Sequence, residues 1–379
     1  MIEKNFYQKP KICHVIWKSS IGGMEKYVLN LLKIMKNLAD VSLIHLGSPG
    51  ILWEEYKKLG IPIYCFNIRH GLDIKNFIKL YYFLKNKKFD IIHSHIHTWI
   101  FNLILSFKKN NSKLIFTEHG GGLLGKKLRN VLFYKFFASN YDLLIAISHY
   151  MKNIMIKYNP TLEPKIKVIY NGIPFSSKNF KKIDPKMYRK KLLPHLDLKE
   201  KVIGIVGRLI PQKGIDKFLY IASEIFKKRK DISFLVVGDG VLKEDLLKLS
   251  KKLGIYNDVH FLGFRKNALE IMKCFDIFLL TSNQEAFGLV IIESMSVGVP
   301  VVALHCRGAI EELIKNDETG LIIKENNYSK IAEKILQFLD NKEKQKFIIE
   351  NAYYWAIKNF SIENNVQKLI KIYHELLKS

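Results

Sequence analysis

Little in this chain would staple it, anchor it in a bilayer or fix a metal ion. Four cysteines occur in 379 residues, Cys13, Cys65, Cys274 and Cys306, and no two stand in a Cys-x-x-Cys pair. A disulfide framework and a cysteine zinc site are therefore excluded, and reduced, core-facing thiols are expected. No run of 18 apolar residues occurs, and residues 1–11 are polar, so neither a membrane-spanning helix nor a signal peptide is expected and the reading is a cytoplasmic protein. An Asp-x-Asp metal motif, short internal repeats and a low-complexity tail are also missing.

Acid is the scarce charge. Against 61 Lys and Arg stand 35 Asp and Glu, a formal +26 with a pI near 9.6. Such an excess attracts polyanions such as anionic headgroups, nucleic acid or phosphorylated substrates. A general enrichment in Lys, Ile and Asn from base composition accounts for it equally well. No nucleic-acid motif is present and the basic residues are dispersed, which argues against a nucleic-acid partner.

What is present is a strand and helix alternation, twice over. Apolar strand candidates run at 12–17, 41–46, 61–66, 91–95, 114–117, 143–147 and 168–169, then again at 202–206, 234–237, 259–262, 277–280, 301–303 and 321–323. Strands alternating with helical patterns predict parallel, doubly wound sheets, and two series at about 150 residues per domain predict an α/β chain of two Rossmann-like domains facing across a cleft. Boundaries are expected at 1–172, a Lys-rich linker at 173–200 holding Pro174, Pro185 and Pro194 and a short helix of its own, a second domain at 201–360, and a last helix at 361–379.

Chemistry concentrates in the second series. Strand 202–206 runs into Gly207-Arg208-Leu209-Ile210-Pro211-Gln212-Lys213-Gly214, which sets two cations beside a tight turn, Arg208 with a forked donor and Lys213 as a point charge for a diphosphate. Downstream, Gln284-Glu285-Ala286-Phe287-Gly288-Leu289-Val290-Ile291-Ile292-Glu293 places two carboxylates around a turn that opens an apolar helix. Glu285 is expected at its mouth and Glu293 about two turns inside, with helix amides turned toward a phosphate. Read alone, Glu285 is equally an acidic N-cap and Glu293 a buried ion-pair partner. The Gly238-Asp239-Gly240 turn fits the same sheet rim.

The first series offers a glycine turn and several histidines. Strand 12–17 is followed by Gly22-Gly23 and a helical pattern, without the full Gly-x-Gly-x-x-Gly of a dinucleotide fingerprint. A simple left-handed turn would explain that glycine pair as well. His93, His95 and His97 alternate along one strand face, but no carboxylate or cysteine stands at a spacing that would complete a metal site. His119 follows an apolar strand and precedes Gly120-Gly121-Gly122, which leaves open space for a substrate; a histidine satisfied by backbone is the plain alternative. The segment 123–137, with Lys126, Lys127 and Arg129 among Leu, Phe and Tyr, would dock on an anionic membrane or present a core-facing stripe under solvated lysines.

Taken together, Gly-Arg-Leu-(x)3-Lys-Gly at 207–214, Glu-(x)7-Glu at 285–293, Gly298-Val299-Pro300 and Gly308-Ala309-Ile310-Glu311-Glu312 resemble the retaining glycosyltransferases of the group 1 family (family 4). The match is in register from 202 to about 323 and looser in the N-terminal half. The resemblance implies the GT-B fold, with the last helix crossing back to the N-terminal domain. It also implies a nucleotide diphosphate sugar, most commonly of uridine, as donor substrate, no cofactor, and a glycan acceptor of cell-surface polysaccharide synthesis; a lipid-linked form of that acceptor, and the anionic inner face of the membrane as a further partner, are suggested by segment 123–137 and the net charge. By resemblance, Glu293 binds ribose hydroxyls, Glu285 the transferred hexose, amides of Phe287, Gly288, Leu289 and Val290 lie nearby, Gly22 and Gly23 let the first domain approach the phosphates, and His119 faces the reacting sugar. Catalysis would then rest on His119, Arg208, Lys213 and Glu285. A nucleotide-sugar epimerase or hydrolase on the same frame, and a non-catalytic basic protein binding membrane or nucleic acid, are the alternatives.

Overall fold

A computed structural model describes residues 9–20, 22–69, 73–96, 99–106, 111–120, 131–175, 184–194 and 196–378. Contacts divide the chain into two compact units, residues 1–174 with 362–379, and residues 175–361. Lys126, Lys127, Arg129, His97, Gly121 and Gly122 lie outside the described residues.

In the first unit, seven strands form one parallel sheet: β1 (Lys11–Ile16), β2 (Asp40–His45), β3 (Ile63–Cys65), β4 (Ile91–Ser94), β5 (Lys113–Glu118), β6 (Leu143–Ala146) and β7 (Ile166–Val168), in the order β3-β2-β1-β4-β5-β6-β7. Such strands are covered on both faces, which is why they read as near-continuous apolar runs. The register sets Ile12 against Val41 on one side and His14 against His93 on the other. The helix Gly23–Met35 turns Tyr27, Val28, Leu31, Leu32 and Met35 inward, the spacing of an amphipathic helix that covers a sheet. From the far end of the chain, the helix Ile362–Lys378 buries Val366, Leu369 and Tyr373 in this same core.

The second unit repeats the plan. Strands β8 (Lys201–Val206), β9 (Ile232–Val237), β10 (Val259–Gly263), β11 (Ile277–Leu280), β13 (Val301–Leu304) and β15 (Leu321–Ile323) form a parallel sheet in the order β10-β9-β8-β11-β13-β15. Two short strands that alternation does not reveal, β12 (Gln284–Glu285) and β14 (Arg307–Gly308), pair with each other outside it. The helix Ile215–Lys228 buries Ile215, Phe218, Leu219, Ala222 and Ile225 on the sheet.

The stretch read as linker carries its short helix toward its C-terminal end. Residues from 175 onward group with the second unit, and the helix Pro185–Leu192 is held there by Arg189, whose Nε donates to Cys274 O at 2.9 Å and whose guanidinium pairs with the carboxylate of Asp276. Among the described residues, no helix is long and apolar enough to cross a membrane.

In both sheets the strand order reverses beside a central strand, at β1/β4 and at β8/β11, and ligands of open α/β sheets bind beyond the carboxyl ends of the strands at such points. Segments 17–20 and 95–96 leave the first switch point, with 119–120 leaving the neighbouring β5; segments 207–214 and 281–288 leave the second.

Candidate active site

The two motifs of the second unit meet. Lys213 ends a short 3-10 turn, Pro211–Lys213, and Gly214 follows in the left-handed region (φ 59°) as the N-cap of the helix Ile215–Lys228. The loop after β11 lies directly against it: Thr281 Oγ1 donates to Gly214 O at 2.7 Å, Asn283 N to Gln212 O at 2.9 Å, and Gln212 Nε2 to Gln284 O at 3.1 Å. Across this seam Lys213 Nζ reaches Glu285 Oε1 at 2.6 Å, and Ser282 Oγ donates to the same oxygen at 2.6 Å. The Lys213 side chain also passes over Gly207.

Glu285 is buried and sits in β12, not at a helix cap. The N-cap of the helix Leu289–Ser296 is Gly288 (φ 103°), which has no capping side chain. This corrects two expectations. Glu285 precedes the helix by four residues, and Glu293, half-buried, stands about one turn into it, not two. The first-turn amides of that helix, Leu289 and Val290, have no intrahelical acceptor by construction.

One glycine is required here. Gly308 has φ 140°, and a Cβ on it would fall 1.8 Å from Glu285 O, so only glycine lets β14 lie against β12, where Ala309 N donates to that carbonyl at 3.0 Å. Arg208 is exposed at the end of β8, and its guanidinium forms no hydrogen bond or ion pair with another described residue, while its carbonyl accepts from Ile210 N at 2.9 Å. Gly238 closes the end of β9 against the same loop, with Gly207 N donating to Val237 O at 3.0 Å.

In the first unit, the histidines converge into one buried cluster. His93 and His95 share a strand face, their rings stacked with centroids 4.4 Å apart, and His14 joins them from β1. His14 Nε2 lies 3.3 Å from Met35 Sδ, His14 Nδ1 lies 3.0 Å from His95 Nε2, and His95 Nδ1 lies 3.0 Å from His119 Nε2. His93 is engaged separately, to Tyr373 Oη at 2.5 Å and Thr117 Oγ1 at 2.6 Å. His14, His93 and His95 place ligand nitrogens within 4.8 Å of one another. Every nitrogen of those three rings already has a hydrogen-bond partner, however, and a metal would have to displace them. Burial pushes the pKa of both His14 and His119 down to about 3 and lowers His93 and His95 well below the usual range, so all four are neutral at physiological pH.

His119 is half-buried, but its Nδ1 is shielded from water and has no hydrogen-bond partner among the described residues. Backbone satisfaction is thus not its role. Gly22 and Gly23 do not form a left-handed turn: Gly22 is extended (φ −134°) and N-caps the helix Gly23–Met35, with Glu25 in the first turn folded back toward it. In the basic aromatic segment, Phe133 and Tyr134 are buried and Tyr134 Oη donates to Glu118 at 2.8 Å, while Val131, Leu132 and Phe136 are exposed. Sequence reasoning missed Ser282, Met35 and His14; only the placement of Ser282 three residues before Glu285 gave a local signal.

Two Rossmann-like α/β units carrying a cation–carboxylate seam in one and a histidine cluster in the other define a GT-B protein. Two family models match, glycosyltransferase family 4 over residues 21–176 and glycosyl transferases group 1 over residues 190–355. The chain belongs to the group 1, family 4 glycosyltransferases. It is 28% identical to the UDP-Gal:alpha-D-GlcNAc-diphosphoundecaprenol alpha-1,3-galactosyltransferase of Escherichia coli, covering 99% of each chain. It is also 28% identical to the N-acetyl-alpha-D-glucosaminyl L-malate synthase of Bacillus anthracis, over 78% of this chain and 77% of that one. Among solved structures, a glycosyltransferase from Rickettsia africae superimposes with a TM-score of 0.81 at 25% identity, over 98% of this chain and 100% of that one. Anabaena HepE in complex with UDP-glucose superimposes at 0.80 and 21%, over 97% and 100%.

Proposed function

We propose that this glycosyltransferase moves a hexose from a UDP-sugar to a glycan or lipid-linked acceptor, with retention of anomeric configuration. The observation that carries the reading is the Lys213–Glu285–Ser282 contact in the segment that leads into the helix Leu289–Ser296. It brings a cation, a carboxylate and a helix N-terminus to the sheet edge where ligands of this architecture bind. As the bond to the diphosphate breaks, negative charge grows on the leaving group. Arg208, Lys213 and the amides of Leu289 and Val290 supply the compensating positive charge without a metal ion. Glu293, one turn deeper, takes the ribose hydroxyls, and Glu285 orients Lys213 and receives hexose hydroxyls.

His119, neutral with a bare Nδ1, is a weak base and a good hydrogen-bond acceptor, suited to a sugar hydroxyl and not to proton abstraction. The family shows no clear enzymatic nucleophile, so attack on the leaving group's own face is the favoured route to retention. UDP as the leaving group is supported by the galactosyltransferase relative and by the HepE complex, and the diphosphoundecaprenol acceptor named for that relative supports a lipid-linked acceptor. Exposed Val131, Leu132 and Phe136 beside a basic stretch, with the net charge of +26, favour work at an anionic membrane face.

The test is a thermal-shift screen of nucleotide diphosphate sugars, followed by UDP release and proton NMR of the product linkage. UDP-sugars should raise Tm and the product should keep the donor's anomeric configuration. Stabilisation by no sugar nucleotide, or an inverted product, would overturn the reading.

A further inference from the structure

The histidine cluster of the first unit has a direction. Methionine sulfur accepts hydrogen bonds and never donates them. At 3.3 Å from Met35 Sδ, His14 Nε2 must therefore carry the proton, since the opposite arrangement would press two lone pairs together. A neutral His14 then has a bare Nδ1, which can only accept, so His95 Nε2 carries a proton toward it across 3.0 Å. His95 Nδ1 is bare in turn and accepts from His119 Nε2 across 3.0 Å. Because burial holds the cluster neutral, each ring has one proton to place and the thioether decides where all three sit.

We infer that Met35, His14 and His95 are positioning residues that fix His119 as the Nε2–H tautomer and so present its Nδ1 lone pair to a hydroxyl of the transferred sugar. Two observations meet in this assignment: the chain of contacts ends at His119, and the nitrogen left over at that end is the shielded one with no partner among the described residues. Tyr27, packed against both His95 and His119, holds the rings in line. His93 stacks on His95 but is satisfied by Tyr373 and Thr117, and stands outside the chain. The role given to Nδ1 rests on the reading of His119 as sugar-facing; the tautomer does not.

Nitrogen-15 NMR of the histidine-labelled full chain reads the tautomer directly. His119 should show a protonated Nε2 and a bare Nδ1, with His14 and His95 in the same form. Met35→Leu preserves volume but removes the acceptor; it should mix the tautomers of all three rings and lower kcat for sugar transfer by about tenfold, the usual scale for an outer hydrogen-bond partner. Nucleotide binding should be unchanged, since the cations assigned to it lie in the other unit. His95→Gln, which can still accept from one neighbour and donate to the other, should restore most of the kcat lost in His95→Leu. A proton on Nδ1 of His119 in the unmodified protein, or Met35→Leu leaving both tautomer and kcat untouched, would overturn the inference. If the tautomer is as stated but no UDP-sugar binds, it is the functional reading that fails.

Discussion

The two units share a sheet plan but prepare their ligand edges by opposite electrostatic means. In the second unit the groups are charged and near water: Arg208 is exposed, and Lys213 keeps 19% of its side-chain surface beside a Glu285 that keeps 6%. In the first unit the groups are buried, neutral and chained, His14 to His95 to His119. A pyrophosphate needs formal positive charge, which is affordable only where water or a counter-ion offsets its burial. A sugar hydroxyl needs only an aimed lone pair, which a buried imidazole provides as long as it stays unprotonated.

Removing the charge at Lys213 should have the largest effect. Lys213→Ala is expected to lower transfer roughly a hundred- to a thousandfold, the scale of losing one preorganised group at developing charge. The variant is not structurally silent, because Glu285 keeps Ser282 but loses its cation, and a cost of ~2 kcal/mol in unfolding free energy is expected, less than for a fully buried pair. Lys213→Arg should recover that stability and only part of the rate. Near wild-type turnover in Lys213→Ala would remove the second unit's site as described.

The first unit breaks under acid. Burial lowers His14 and His119 from about 6.5 in the unfolded chain to about 3 and holds His93 and His95 well below 6.5 as well, so the unfolded chain takes up protons that the folded one refuses. Stability is therefore full above pH 6.5 and is lost as pH falls toward 3, by up to about 1.4 kcal/mol per pH unit for each histidine. In the second unit, burial likewise lowers His260. Hydrogen exchange followed by mass spectrometry from pH 7 to pH 5 should show β1, β4 and β5 opening before β8, β9 and β11. The reverse order would contradict the burial of the cluster.

A smaller effect is expected from Gly308→Ala, which must move β14 off the Glu285 carbonyl. It should cost about 1–3 kcal/mol as local backbone strain and reduce transfer by displacing Glu285, with acid sensitivity of the first unit unaltered. Urea titration at pH 7 and pH 5 separates the two.

The sequence revealed these units unequally. Most sheet strands were legible to within a residue or two, since a parallel sheet covered on both faces needs apolar runs such as Ile277–Leu280. β12 and β14 were not, because two residues carry no period and their pairing depends on Gly308 meeting a backbone 23 residues away in sequence. Arg208, Lys213, Glu285 and Glu293 declared themselves as charges in otherwise apolar, glycine-marked segments. The Lys213–Glu285 pairing did not, because each looked assigned to a ligand. His119 stood out for the glycines after it, whereas His14 and Met35 passed as core residues: their role lies in a contact between β1 and the end of the helix Gly23–Met35, and spacing along the chain says nothing of which sulfur meets which ring.

The smallest structural effect, and the cleanest contrast with His119, is expected at Arg208. Its side chain is exposed and bound to no other described residue, so Arg208→Ala should leave unfolding free energy within about 0.5 kcal/mol. If it reaches the diphosphate, losing one charge-assisted contact of about 1.5–3 kcal/mol should weaken UDP-sugar binding at least about tenfold. Binding measured by calorimetry should also lose part of its salt dependence, because an exposed cation acts on the ligand through solvent that ions screen. His119→Ala, by contrast, should lower kcat with the salt dependence of binding intact, since a neutral buried acceptor has no charge to screen. An Arg208→Ala variant whose affinity and salt slope match the parent would mean that Lys213 and the helix amides hold the pyrophosphate alone, and that the second unit's edge depends on a half-buried, paired cation much as the first depends on a chained imidazole.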